Sequence, residues 1–295
     1  MLYPDIFHTK PEKSKTATFD RVVRMLPEAV SFYGAYFYGA YPLDMSQYAR
    51  LFGSARIPKK GGDVLKTNPS SEHVLVLRNN NFYKLFVRDA SGEFIPEAQI
   101  LGGIKAILAD TTPKAAHPVG LLTTENRDKW AALREEIAAS GNQKALDDVD
   151  SALFVLALDS EGTEDDEKLS RQFLFGDGKN RWFDKSFSLL ISANAKVAVN
   201  FEHSWGDGVA VVRFLDEVFT ASNASPLVQA AAGFRAPEKI SWNVNMALSF
   251  LFFFFSLVPF FPLLLTFITD SSPQELSRGL KRPARGLIRT PPRWT

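Results

Sequence analysis

A stretch of thirty residues without a single charge, Ile240 to Thr269, divides this 295-residue chain into parts of different character. Eight of the 25 phenylalanines lie between Ala247 and Ile268. Before Asp270 the chain has 28 basic and 31 acidic residues, and from Asp270 onward it has six basic and two acidic residues. The total charge of +1 is therefore the sum of a mildly acidic part and a basic tail, and we expect no nucleic-acid partner.

The uncharged stretch is long enough for a membrane-spanning helix. Ala247 to Ile268 would extend about 33 Å as a helix, against about 30 Å for the hydrocarbon core of a bilayer. We predict an apolar, possible transmembrane helix over residues 246–269, a linker over residues 223–245 and a disordered basic tail over residues 270–295. The alternative is translated non-coding sequence that is rich in Phe and Leu without being selected for a membrane.

The composition excludes several kinds of site. The chain has no cysteine, and its four histidines have no metal-ligand spacing, so disulfides, thiol catalysis and a bound metal are not expected. Residues 1–8 lack both the basic and the apolar segments of a targeting signal. Residues 20–41 combine basic and aromatic side chains, which suits either the surface of a membrane or a helix and loop packed on the domain.

The region from residue 73 to residue 167 alternates strand and helix patterns. Residues 73–78 and 82–87 flank three asparagines and predict a hairpin. Helices are predicted over residues 96–109, over 125–139 with Thr124 as the N-cap, and over 143–149, followed by a buried strand over 152–158. The acidic residues 159–167 are interpreted as a solvated loop. This order predicts an α/β fold.

A second predicted hairpin leads to the one candidate catalytic histidine. Apolar residues alternate with polar ones over residues 187–192 and 197–202, and His203 continues the apolar series. A glycine-rich turn with Asp207 as the expected N-cap then leads into a helix. A partly desolvated histidine there would stay neutral and could act as a general base. On spacing alone, the favoured interpretation is a satisfied histidine at the edge of the core, with Asp207 only a cap and the glycines only a turn, because a histidine and one aspartate four residues later do not make a triad.

Five segments resemble the choline/carnitine acyltransferase family. They are residues 32–59, 73–87, 121–134, 141–159 and 180–219, and the last of them contains the motif His203-x-x-x-Asp207-Gly208. The resemblance extends from about Leu2 to about Phe219, so we interpret residues 1–222 as part of an acyltransferase domain. It implies an α/β lobe of the chloramphenicol-acetyltransferase type, with a mixed sheet and flanking helices, and an enzyme in mitochondrial fatty-acid oxidation.

The same resemblance assigns roles to individual residues. His203 is expected to be the proton acceptor, and Asp207 and Gly208 complete the motif. The implied substrates are long-chain acyl-CoA and L-carnitine, with no permanently bound cofactor, and the implied location is the matrix side of the inner mitochondrial membrane. Members of the family take their oxyanion donors from a Ser-Thr-Ser motif in a second lobe, and this sequence contains no such motif. The chain is therefore interpreted as a truncated member, with an inactive, membrane-associated binding module as the alternative function.

Overall fold

The computed structural model describes residues 46–225 and 227–244, together with nine separate positions between residues 21 and 37. In this part of the chain, six strands form one mixed sheet in the order β7-β6-β5-β3-β4-β8. The strands are β3 (His73–Arg78), β4 (Asn81–Phe86), β5 (Val155–Leu158), β6 (Phe187–Ile191), β7 (Val197–Phe201) and β8 (Glu238–Ile240). A separate antiparallel pair is formed by β1 (Ser54–Ile57) and β2 (Val64–Thr67).

Helices connect and cover the strands of this sheet. They are α1 (Glu97–Ala109), α2 (Arg127–Ile137), α3 (Gln143–Ser151), α4 (Asp166–Leu174) and α5 (Gly208–Ala224), with short 3-10 turns at Ser46–Arg50 and Val119–Thr124. Strands β3, β5 and β6 are parallel neighbours, and β4 and β7 pair with them in the antiparallel sense. The α/β fold with a mixed sheet, predicted from the sequence, is confirmed.

Alternate residues of β3 pack into two separate cores. Leu75 and Leu77 belong to the core that contains Trp130 of α2 and Val149 of α3. Val74 and Val76 face the other side of the sheet, where the core includes residues of α1. Because successive side chains of a strand point to opposite faces, helices must cover both faces of the sheet to bury this run.

Both predicted hairpins are present. Asn79 and Asn80 have φ values of 51° and 60°, which two-residue hairpin turns require and which asparagine adopts more readily than most residues. In the second hairpin, β6 pairs antiparallel with β7, with Phe187 opposite Phe201. Of the predicted helices, α1 and α3 lie close to their expected bounds.

Three local predictions were wrong. The helix predicted from residue 125 begins at Arg127 and is capped by Asn126, whose side chain accepts from the amides of Asp128 and Lys129, whereas Thr124 ends the preceding 3-10 turn. The strand predicted over residues 152–158 begins only at Val155. Asp159 does not lie in a solvated loop, because it forms a two-point ion pair with the buried Arg181.

The interval predicted as a linker contains a strand. Strand β8 pairs antiparallel with β4, and Ile240 is buried against the core that contains Phe82. The predicted apolar helix over residues 246–269 and the tail over 270–295 lie outside the described residues, as does most of the amphipathic segment at residues 20–41. Among the residues that the structure does describe, no helix is both long and apolar enough to cross a bilayer.

Candidate active site

His203 lies in the turn between β7 and α5. Because Phe201 is opposite Phe187, this turn extends beyond the amino end of β6. The turn is anchored by Trp205, which is 4% exposed and packs with Leu51 and Val211. The indole Nε1 of Trp205 also donates to the backbone oxygen of Ser186 at 2.6 Å. This role of Trp205 was not predicted from the sequence, although a tryptophan inside a polar, glycine-rich turn is a signal of such an anchor.

The imidazole of His203 is exposed rather than desolvated. Its side chain is 72% exposed, and its ring centroid lies 5.1 Å from that of Phe201. The expectation of a partly buried histidine on the apolar face was wrong, because β7 ends at Phe201 and the alternation of a strand does not extend into a turn. The exposed position leaves the imidazole accessible to a substrate.

Asp207 occupies the predicted N-cap position of α5 but does not cap the helix with its side chain. Its backbone oxygen accepts from the amide of Ala210, and its Oδ1 lies 4.0 Å from Nε2 of His203. Both side chains are exposed, so this pair contributes little to the stability of the fold. The turn therefore brings His203 and Asp207 close together, and a small rotation of either side chain would allow a hydrogen bond between them.

The two glycines of the turn meet different constraints. A Cβ on Gly208 would lie 3.8 Å from the ring of Phe201, which is ordinary contact, whereas a Cβ on Gly206 would lie 3.1 Å from Oε1 of Gln47. That same Gln47 oxygen accepts from the backbone amide of Asp207 at 2.7 Å. The backbone of the turn therefore approaches Gln47 closely at Gly206, a contact that the motif alone does not reveal.

A buried segment rich in polar residues, Arg181–Ser186, precedes β6 and was not predicted from the sequence. Asp184 accepts from the indole Nε1 of Trp130 at 2.7 Å and from Arg127 at 2.6 Å. Burial raises the pKa of the Asp184 carboxyl above its usual range, although these two donors act in the opposite direction. Burial also lowers the pKa of Lys185 to about 7, and its Nζ donates to the backbone oxygen of Asp150 at 2.5 Å.

A polar cavity of about 470 Å³ lies at the other end of the sheet. Its lining includes Asn80, Arg171 and the Asp159–Arg181 pair, at the carboxyl ends of β3 and β5. Burial alone would raise the pKa of Asp159, but the hydrogen bond and charge of Arg181 lower it. Within the described residues, no group of His, Asp or Glu side chains is arranged to hold a metal ion.

Comparison with known proteins identifies the family. The family model for choline/carnitine O-acyltransferases matches residues 13–250. Mitochondrial carnitine O-palmitoyltransferase 2 of Homo sapiens is 50% identical over 228 residues, which is 77% of this chain and 35% of the human protein. The Xenopus tropicalis protein of the same name is 49% identical over 83% of this chain and 36% of its own length.

A relative of lower identity covers somewhat less of the chain. The muscle isoform of carnitine O-palmitoyltransferase 1 from Bos taurus is 31% identical over 70% of this chain and 29% of its own length. The chain thus spans about a third of the length of the curated relatives named here. The chain belongs to the choline/carnitine acyltransferase family.

Proposed function

We propose that this chain supplies the general base of carnitine O-palmitoyltransferase-type acyl transfer, with His203 as the base. The substrates are long-chain acyl-CoA and L-carnitine, and CoA is a co-substrate rather than a resident cofactor. The observation that carries the proposal is the His203-x-x-x-Asp207-Gly208 motif, which lies inside the range matched by the family model and forms an accessible turn in the fold.

The reaction follows from the chemistry of an accessible imidazole. A nitrogen of His203 takes the proton from the carnitine hydroxyl while that oxygen attacks the thioester carbonyl carbon. The resulting tetrahedral oxyanion collapses, the carbon–sulfur bond breaks, and the imidazolium returns the proton to the sulfur of CoA. Asp207, at 4.0 Å, is placed to orient the ring and to stabilise its charged form.

The same proposal extends to the organisation of the chain. Residues 1–222 form part of an acyltransferase domain, as a lobe of the chloramphenicol-acetyltransferase type. Residues 223–245 connect this domain to residues 246–269, and strand β8 within them pairs with β4 of the sheet. Residues 246–269 span a membrane and residues 270–295 form its basic flank. The location is the matrix side of the inner mitochondrial membrane, in keeping with the mitochondrial names of the relatives.

The activity is tested by palmitoylcarnitine formation from palmitoyl-CoA and carnitine. We expect slow turnover, because the Ser-Thr-Ser motif that supplies oxyanion donors in the family is not in this sequence. His203→Asn should lower the remaining rate by about 100-fold or more, because asparagine cannot accept and return the proton. Glu217→Gln, an exposed change on α5, is the control. Equal rates for the chain and for His203→Asn would contradict the assignment of the base.

A second candidate function is a binding module without catalysis. It is favoured by the exposure of His203, because the described residues do not enclose the imidazole as an acyl-transfer site needs. Calorimetric titration with palmitoyl-CoA separates the two functions. Binding that His203→Asn leaves unchanged, combined with no palmitoylcarnitine, would support the module and contradict the enzyme.

Membrane attachment is tested by alkaline carbonate extraction of membranes that carry the chain. We expect the chain to remain in the membrane pellet, because a span of 22 uncharged residues matches the thickness of a bilayer. A variant that ends at residue 244 should be released into the supernatant. Release of the complete chain would contradict a spanning segment at residues 246–269.

A further inference from the structure

Glu202 lies directly before the candidate base and contacts the backbone of its turn. The Oε1 atom of Glu202 accepts from the backbone amide of Ser204 at 3.1 Å, so the side chain closes a loop around His203. The side chain of Glu202 is only 16% exposed, in contrast to the exposed imidazole beside it.

Arg56 of β1 holds the Glu202 carboxylate from the other side. Its Nη1 lies 3.3 Å from both carboxylate oxygens of Glu202, and its Nε donates to Asp63 at 2.6 Å. The backbone of Arg56 is also fixed, because its amide donates to the oxygen of Asp184 at 2.7 Å. Glu202 is therefore bound to a residue that is itself held at two other points, by Asp63 and by the backbone of Asp184.

Alternating charges continue from Arg56 into the core. Asp63 accepts from Nε of Arg127 at 2.7 Å, and Nη1 of Arg127 donates to Asp184 at 2.6 Å. Asp184 in turn accepts from the buried indole of Trp130. Long polar side chains lose rotamer freedom when each end is bonded, so this chain of contacts gives Glu202 a fixed position relative to α2.

The turn is held on its other side as well. Gln47 accepts from the amide of Asp207, and Trp205 donates to the oxygen of Ser186. The backbone on both sides of His203 is thus attached to the body of the domain, while the imidazole stays exposed. Such an arrangement fixes the origin of a catalytic side chain without occupying its reactive atoms.

We propose that Glu202 is a positioning residue for His203, acting through the Ser204 amide and anchored by Arg56. This inference rests on the proposed role of His203 as the base. A carboxylate suits this position because Oε1 accepts from the amide while both of its oxygens lie 3.3 Å from Nη1 of Arg56. A glutamine at this position offers one oxygen, and its amino group would face another donor on Arg56.

Hydrogen–deuterium exchange on the full chain tests the contact without depending on activity. Glu202→Gln should speed exchange of the Ser204 amide by about tenfold, because a charge-assisted hydrogen bond is weakened, and Glu202→Ala should speed it further. The amides of β5 should keep their exchange rates in both variants. Glu217→Gln, which breaks an exposed ion pair on α5, is the matched control and should leave the Ser204 amide unchanged.

Kinetics separate positioning from a purely structural role. In the palmitoylcarnitine assay, Glu202→Gln should lower kcat while KM for palmitoyl-CoA stays the same, because the substrate contacts remain and only the base is displaced. Unchanged exchange at Ser204, or an equal rise in exchange at Ser204 and in β5, would overturn the proposal. If exchange at Ser204 is faster in the Glu202 variants but His203→Asn turns over at the normal rate, the contact between Glu202 and the turn is real and His203 is not the base. That result also overturns the proposal, because Glu202 then positions no catalytic residue.

Discussion

Asp184→Ala should lower the free energy of unfolding by about 3 kcal/mol, the lower end of the cost of removing one partner from a buried ion pair, because Arg127 is partly exposed and keeps Asp63 as a partner. The Asp184 side chain is 4% exposed and is bonded to both Arg127 and Trp130. Alanine would leave the Trp130 N–H without an acceptor in the core and would also leave a cavity. Urea denaturation followed by circular dichroism measures the change.

Two further variants make this measurement specific. Asp177→Ala removes a carboxylate that is 63% exposed and should change the stability by no more than about 0.5 kcal/mol. Asp184→Asn keeps the size of the side chain but loses its charge, so it should fall between the two. If Asp184→Ala lowers the free energy of unfolding no more than Asp177→Ala does, the ion pairs that run from Asp184 to Glu202 do not stabilise the fold.

This prediction links the stability of the domain to its candidate site. The Arg127 guanidinium bridges Asp184 and Asp63, and Asp63 holds the Arg56 that anchors Glu202. Loss of Asp184 should therefore also speed exchange of the Ser204 amide, although the substituted residue does not contact the turn. The turn that carries His203 and the core beneath α2 are then energetically coupled.

Local signals were enough to predict much of the sheet. The asparagines before β4 and the alternation in β6 and β7 specify hairpins because turn geometry and side-chain period act over a few residues. The motif His203-x-x-x-Asp207-Gly208 also identified the turn correctly, because β7 and α5 flank it. These features depend on neighbours in the sequence rather than on distant contacts.

Long-range contacts explain what could not be predicted. Strand β8 has only three residues and acquires its role by pairing with β4, more than 150 residues earlier in the chain. From the sequence, Asp159 is one of several acidic residues in a predicted loop, and only the fold brings Arg181 to it. Polar residues 184 and 185 look like solvated positions in the sequence, and only their packing against α2 and α3 makes them buried.

The free energy of unfolding of the wild-type chain should rise with pH between about 7 and 10.5, because Lys185 has a lowered pKa in the fold. Burial lowers the pKa of Lys185 from 10.5 to about 7 in the folded state, against the opposing charge of Asp150. Within this window the unfolded chain binds a proton that the folded chain does not, so raising the pH favours folding. Below about pH 7 the lysine is charged in both states, and the fold bears the full cost of a buried ammonium group.

Lys185→Met should therefore stabilise the chain most at low pH. At about pH 6 the gain should be about 1–4 kcal/mol, because an apolar side chain of similar length replaces a buried charge. At about pH 10 the gain should vanish or change sign, because neutral Lys185 still donates to the oxygen of Asp150 and methionine cannot. Lys168→Met, at a side chain that is 75% exposed, should shift the urea midpoint equally at all pH values. Parallel curves for the wild-type chain and Lys185→Met would show that Lys185 keeps an ordinary pKa in the fold, since only a lowered pKa makes the effect of the substitution depend on pH.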